Sequence, residues 1–147
     1  MAILDTYVEF CDATTITATA TSAIMGNVVD TGASPTLKDL GTSDIWFVLK
    51  IETAVTSNSA VTCQFYLYSD SVATLDSSAT THWSSTAIAK ATLVRGYRVA
   101  CVKLPSGDYE RYLGIFCTTS GGTLLTGTAN AYLTTCTPIW AAMPDGL

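Results

Sequence analysis

The alternation of apolar and polar side chains is the dominant pattern along this chain. In residues 59–69, apolar side chains lie on one side of an extended segment: Val61, Cys63, Phe65 and Leu67. Polar or aromatic side chains lie on the other side: Thr62, Gln64, Tyr66 and Tyr68. Residues 45–52 repeat the pattern, with Phe47 and Leu49 opposite Trp46. Because successive side chains of a strand point to opposite faces, each segment predicts a half-buried β-strand.

Six further segments have the composition or alternation of strands: 14–21, 27–30, 86–93, 98–104, 111–118 and 127–136. Turn-forming Gly, Pro, Asp and Ser residues separate many of these segments, as in the pair Gly121-Gly122. No segment has a convincing 3.6-residue apolar period, so we expect little or no helix. About eight short strands predict one all-β, antiparallel sandwich of jelly-roll-like type, with a closed barrel as the less favoured alternative.

The stretch from Val72 to Ser85 interrupts the alternation. It consists mainly of small and polar residues, with His82 and Trp83 near its end. Long polar segments between strands commonly run over the surface and carry contacts. We therefore expect a long surface loop here.

The C-terminal residues differ in character from the rest of the chain. Pro138 and Pro144 exclude regular strand pairing, and the residues between them are largely apolar: Ile139, Trp140, Ala141, Ala142 and Met143. Large apolar side chains require cover from water. We predict a β-sandwich domain over residues 1–137 and an extended apolar tail over 138–147, which reaches onto a neighbouring subunit and is anchored by Trp140.

The composition indicates a weakly charged surface. Of the 147 residues only 13% are charged, 25 are threonines, and the mean hydropathy is +0.35. Such a surface is typical of proteins that are partly covered by other subunits. The formal net charge of −5 argues against nucleic acid and anionic membranes as partners, because binding to either depends on basic side chains. No apolar run approaches the roughly 20 residues that span a bilayer.

The cysteines do not indicate a metal site or a disulfide framework. The five are widely spaced, without a C-x-x-C pair: Cys11, Cys63, Cys101, Cys117 and Cys136. Their odd number and the absence of a signal-peptide pattern at the start favour synthesis in a reducing cytoplasm. We predict neither a cofactor nor a metal, and leave open whether any cysteines pair.

The candidate catalytic residues do not form a convincing constellation. His82 is the sole histidine, and no G-x-S-x-G motif accompanies it. Asp108 and Glu110 could form a carboxylate pair of the glycosidase kind, but they flank a Pro-Gly turn, where such residues commonly bond the backbone or face water. We therefore predict that the protein is not an enzyme, with a small hydrolase built around His82 as a remote alternative.

Exposed aromatic residues are the main candidates for an interface. Trp46, Tyr66 and Tyr68 lie on the polar faces of their predicted strands, and Arg95, Tyr97 and Arg98 form a basic-aromatic cluster around Gly96. Tyr, Trp and Arg are enriched at protein interfaces. The alternatives are cross-strand aromatic packing for the first group, and a hairpin with solvated arginines for the second.

A set of colinear motifs resembles one known family. The start, with Ile3-Leu4-Asp5, Phe10 and Asp12 followed by a Thr/Ala-rich run over 13–22, is similar to that of Bbp16-type phage capsid cement proteins. The segments LVRGYRV at 93–99 and PSGDYERYL at 105–113 resemble two motifs of the same family, and Gly121-Gly122 and Gly127-Thr-Ala follow in family order. The aromatic tail beyond residue 137 and the extra cysteines depart from the family pattern.

The resemblance implies a jelly-roll-like protein without catalytic residues. It implies homo-oligomers, either a dimer or a trimer, that bind the outside of an icosahedral phage head. There they would stabilise contacts between major capsid protein subunits, after synthesis in the bacterial cytoplasm. The alternative is a carbohydrate-binding β-sandwich of a phage tail or receptor-binding structure, with Trp46, Trp83 or Tyr66 as stacking platforms.

Overall fold

A computed structural model of the protein describes residues 8–16, 23–32, 39–76 and 78–135. These residues form nine strands: β1 (Glu9–Thr15), β2 (Ala23–Asp30), β3 (Trp46–Thr56), β4 (Thr62–Asp70), β5 (Thr80–Ser84), β6 (Ile88–Ala89), β7 (Arg98–Lys103), β8 (Tyr112–Ser120) and β9 (Thr126–Thr134). A 3-10 turn, Leu40–Thr42, lies before β3, and none of the described residues is in an α-helix. The prediction of an all-β fold is confirmed.

The strands form two antiparallel sheets that face each other. The first has the order β1-β9-β3-β7 and the second β2-β8-β4-β5, with the short β6 beside β5 along the same edge of β4. The strand pairs are nested along the sequence, so that each pair lies between the two strands of the pair before it: β1 with β9, β2 with β8, β3 with β7 and β4 with β5. Nested pairing of this kind defines a jelly roll, so the predicted architecture is confirmed.

The core lies between the two sheets and consists of the apolar sides of the alternating strands. β3 contributes Phe47, Leu49 and Ile51, all fully buried, and β4 contributes Phe65 and Leu67. This is the side that the alternation predicts for each strand. The ring of Phe47 contacts those of Phe10 and Trp83 edge-on, with centroid distances of 6.0 and 5.5 Å, which joins β1 and β5 to the same core.

Two element predictions are wrong, and both concern short segments near β4. Thr80–Ser84 is strand β5, within the predicted loop, because Trp83 faces the core opposite Leu67 and anchors an otherwise polar segment. In the predicted strand 86–93 only Ile88–Ala89 pair, because the amides of Thr92 and Leu93 bond the carbonyls of Ala89 and Lys90 in a turn. The described strands therefore number nine, where about eight are predicted.

With one exception, the remaining boundaries agree with the predictions to within a few residues. The predicted strand 14–21 overlaps β1 only at Thr14 and Thr15, because β1 begins at Glu9, and residues 17–22 lie outside the described part. The tail 138–147, with Ile139, Trp140 and Met143, also lies outside it. The division into a domain and a tail stays a prediction.

Candidate protein-interaction surface

The outer face of the β2-β8-β4-β5 sheet carries a cluster of aromatic side chains. On β4, Tyr66 and Tyr68 lie on the side away from the core, because their neighbours Phe65 and Leu67 are buried. Their rings stack at a centroid distance of 5.5 Å and an interplanar angle of 21°. Phe116 of β8 stands directly opposite Tyr66, and its ring is 4.8 Å from that of Tyr68.

Ile24 of β2 stands opposite Phe116 and completes the cluster. We call Ile24, Tyr66, Tyr68 and Phe116 the aromatic face. Its immediate neighbours on the outer side are Gln64 and Thr118 on one flank, Thr81 and Ser84 along β5, and Gly114 with the buried Asp70 at the other end. An aromatic centre with a polar rim that exposes little charge has the composition of a protein interface.

One end of the aromatic face is closed by the segment between β4 and β5. Leu75 is buried over Gly114, and a Cβ at Gly114 would lie only 3.2 Å from a Leu75 methyl group. The segment is held by Asp70, whose buried carboxylate accepts hydrogen bonds from the Val72 amide (3.2 Å) and the Ser78 hydroxyl (3.4 Å). The absence of a side chain at Gly114 thus admits Leu75 onto the sheet.

The predicted interface residue Trp46 lies on the outer face of the other sheet. It stands between Lys103 of β7 and Thr134 of β9, and its side chain is half-buried. Its Nε1 atom is buried and has no hydrogen-bond acceptor among the described residues. The structure therefore does not bring Trp46 together with Tyr66 and Tyr68.

The predicted basic-aromatic cluster is divided in the structure. Tyr97 packs partly against the core, whereas Arg95 and Arg98 are exposed. Arg95 forms a surface ion pair with Glu52 at 3.3 Å. Arg98 stands directly opposite Lys50 on the neighbouring strand, which places two cations side by side.

His82 lies in a polar cluster that joins β4, β5 and the segment before β8. Its Nε2 is 2.7 Å from Ser69 Oγ, and its ring stacks on that of Tyr109 at 3.8 Å. Burial lowers the pKa of His82 and raises that of Tyr109 to about 12. A shallow cleft of about 660 Å³ opens beside it, lined by residues of two segments: Thr80, Thr81, His82, Pro105, Ser106, Gly107, Asp108 and Glu110.

The distance between Ser69 and His82 is that of a nucleophile and its general base in an active site, but the serine side chain is not accessible to a substrate. The Ser69 side chain is fully buried, so a substrate cannot reach its oxygen. No carboxylate of the described residues hydrogen-bonds the His82 ring to orient it as a base. The geometry assigns this contact a structural role, which ties β4 to β5.

The described cysteines have free thiols, and most lie in the core. Cys11, Cys63 and Cys117 are buried, and Cys101 is half-buried. Burial raises the pKa of Cys11 to about 12, and the hydrogen bond with the neighbouring Cys63, together with burial, raises that of Cys117. Within the described ranges, no three His, Cys, Asp or Glu residues are grouped to hold a metal ion.

The comparisons with known proteins match one family model to most of the chain. A family model described as Bbp16 matches residues 10–133, which include all but the first residue of β1 and the last residue of β9. No curated protein matches the chain. In the part of the chain that the structure describes, no helix is long and apolar enough to cross a membrane.

Proposed function

Because this chain belongs to the Bbp16 family, we propose that it is a non-enzymatic capsid cement protein of a bacteriophage. It binds the outer surface of the icosahedral head and stabilises the contacts between major capsid protein subunits. The single observation that carries this proposal beyond the family is the aromatic face. An uncharged aromatic patch on a rigid sheet supplies the kind of contact that stabilises protein assemblies.

The surrounding structure supports this use of the aromatic face. Its residues belong to β2, β4 and β8, adjacent strands of one sheet, so binding does not require them to be ordered first. The large exposed apolar side chains of the described residues, Val72, Val94 and Leu125, are not among its members, of which Tyr66 and Tyr68 are half-buried and Phe116 is buried. Tyr and Phe rings held by their neighbours lose little conformational freedom on contact. The aromatic face therefore has the properties of a pre-formed binding site.

The proposed mechanism is the linkage of binding to assembly. A protein that binds only adjacent, assembled capsid subunits shifts the equilibrium toward the assembled shell, since its binding free energy must be overcome before the subunits part. Many copies on a symmetric shell, and contacts between copies as a dimer or trimer, increase the effect beyond one contact. The acidic chain carries no excess of cations for DNA, which fits a position on the outside of the head.

Co-sedimentation with undecorated heads tests the proposal. We expect the protein to pellet with heads and to raise their melting temperature. Tyr66→Ser removes an aromatic ring from the face and should weaken binding roughly tenfold or more, as expected for an interface anchor. Leu125→Ser is the matched control, because Leu125 is a 60% exposed apolar residue away from the face, and it should bind heads normally.

Two results would reject the proposal: no co-sedimentation of the unaltered protein, or equal binding by the two variants. The stacked Tyr66 and Tyr68 rings also favour one second candidate, a carbohydrate-binding site, because sugar rings stack on exposed aromatic faces. Trp83 does not support this candidate, since it packs against Phe47 in the core. A glycan array with a clear ligand that Tyr66→Ser abolishes, together with no binding to heads, would establish it instead.

A further inference from the structure

A second, smaller apolar cluster lies on the outer face of the β1-β9-β3-β7 sheet. Trp46 and Val48 of β3 face away from the core, because Phe47 between them is buried in it. Val48 stands between Cys101 of β7 on one side and Tyr132 of β9 on the other. We call Trp46, Val48, Cys101 and Tyr132 the Trp46 patch.

The Trp46 patch is largely buried, although it faces away from the core. Val48 is only 3% exposed, and Trp46, Cys101 and Tyr132 are half-buried. The Nε1 atom of Trp46 is itself buried and has no hydrogen-bond acceptor among the described residues. An indole N–H can only donate, and a buried donor without an acceptor is destabilising. A further segment that brings an acceptor to the patch would therefore stabilise it.

The C-terminal residues leave the sheet beside the Trp46 patch. Strand β9 ends at Thr134, which stands directly opposite Trp46. From β9 to β7 the patch is two strand spacings wide, about 10 Å. The six residues from Thr134 to Trp140 span up to about 20 Å when extended. Trp140 can therefore reach any residue of the patch.

The composition of the tail, residues 138–147, complements the patch. Its side chains Ile139, Trp140 and Met143 are large and apolar, and they require cover from water. The two prolines that flank them favour an extended backbone, which leaves its carbonyl groups free to accept hydrogen bonds. Such a segment can both cover the apolar side chains of the patch and accept the hydrogen of Trp46 Nε1.

We infer that the tail docks on the Trp46 patch of its own chain, with Trp140 over Val48 and a backbone carbonyl on Trp46 Nε1. The sequence alone predicts a contact with a neighbouring subunit. The end of β9 beside the patch favours the same chain instead, because a tethered segment acts at a high effective concentration. The aromatic face belongs to the other sheet, so a docked tail leaves it open. The contact does not depend on binding to heads.

The reactivity of Cys101 measures the contact. Removal of residues 138–147 should raise the rate at which iodoacetamide labels Cys101 about tenfold, because the half-buried thiol loses its cover. Trp140→Ser should give a smaller rise, and Leu125→Ser, which changes an exposed apolar residue elsewhere, should give none. The buried core thiols report folding, since they stay unlabelled while the core is intact. A rate that neither the truncation nor Trp140→Ser alters would overturn the inference.

The indole N–H of Trp46 gives a second readout, which needs only chains of full length. Its NMR resonance is identified by its loss in Trp46→Phe. This hydrogen should exchange with solvent about tenfold more slowly in the unaltered protein than in Trp140→Ser, because the bond to the tail protects it. Equal exchange in the two proteins would overturn the inference, even if the shortened chain did not fold.

Isotope labelling distinguishes docking on the same chain from docking on a second copy. Isotopically heavy chains that lack residues 138–147 are refolded together with an excess of light chains of full length, and the peptides that contain Cys101 are told apart by mass. The shortened copies should still be labelled fast, because each tail covers its own chain. Slow labelling of the shortened copies would show that the tail binds a neighbouring copy, and would overturn docking on the same chain.

Discussion

Ser69 Oγ lies 2.7 Å from His82 Nε2 and also accepts a hydrogen bond from the Glu110 amide at 3.1 Å. One buried hydroxyl therefore joins β4, β5 and the segment that leads into β8. Tyr109 covers the other side of the imidazole and donates a hydrogen bond to the Pro105 carbonyl at 2.7 Å. This arrangement makes the sole histidine a structural element at the end of the sandwich.

The first prediction is that the protein loses stability when His82 becomes protonated. Burial lowers the pKa of His82 below its ordinary 6.5. Between the two values the unfolded chain binds more protons than the folded one, so the free energy of unfolding falls as the pH decreases from about 7. Denaturant titrations from about pH 7.5 to pH 5.5 should show this decrease, before most carboxylates titrate.

His82→Gln is the control, because the amide can hydrogen-bond Ser69 but does not titrate in this range. Its stability should vary less with pH than that of the unaltered protein. An NMR titration of the single imidazole gives the pKa directly, even if the variant folds poorly. A value of 6.5 or above would contradict the predicted direction.

The regular strands could be predicted from the sequence, whereas the exceptions depend on contacts between distant segments. The alternation around Phe65 and Leu67 gives the buried side of β4 without further information. In β5 only Trp83 marks the core side, because the rest of Thr80–Ser84 is polar. Its strand character comes from pairing with β4, which a local pattern does not contain.

The aromatic face, too, could be predicted from the sequence only in part. Tyr66 and Tyr68 could be predicted as outward-facing from their alternation with buried residues. Phe116 lies in a continuous run of buried residues, from Leu113 to Cys117, so alternation alone does not place it on the outer side of its strand. Its position beside Tyr66 follows from the register of β4 and β8. Register between strands so far apart in sequence is set by the whole sandwich.

The second prediction compares two glycines that share a left-handed backbone. Gly26 has φ of 71°, and a Cβ there would lie 2.2 Å from the Phe10 carbonyl oxygen, whereas Gly96 has φ of 85° with nothing within 4 Å. Gly96→Ala should cost about 1–2 kcal/mol, the backbone penalty alone. Gly26→Ala adds a steric clash with β1 and should cost about 3 kcal/mol or more. Equal unfolding midpoints for the two variants in urea would show that β1 does not approach Gly26 closely.

The third prediction concerns thiol reactivity in the folded protein. Cys11, Cys63 and Cys117 are buried in the core, and the raised pKa of Cys11, about 12, leaves almost no thiolate at neutral pH. Cys101 is half-buried on the outer side of β7. Of these four, Cys101 should react first with iodoacetamide, and the other three only after denaturation. Mass spectrometry of the labelled peptides identifies the order; early labelling of Cys63 or Cys117 would place them outside the core.

The fourth prediction tests the packing of Leu75 over Gly114. Leu75→Ala should lower the free energy of unfolding by about 2 kcal/mol, the lower end for a buried leucine, because the segment between β4 and β5 can partly collapse. Gly114→Ala alone should also destabilise, since the new methyl group meets Leu75 at 3.2 Å.

In the double variant the methyl group at position 114 occupies part of the space that Leu75 vacates. The combined loss should therefore be smaller than the sum of the two single losses, by about 1 kcal/mol. Urea unfolding of the four proteins completes the cycle. Strictly additive losses would mean that Leu75 does not rest on Gly114, and that the segment between β4 and β5 leaves this end of the aromatic face open.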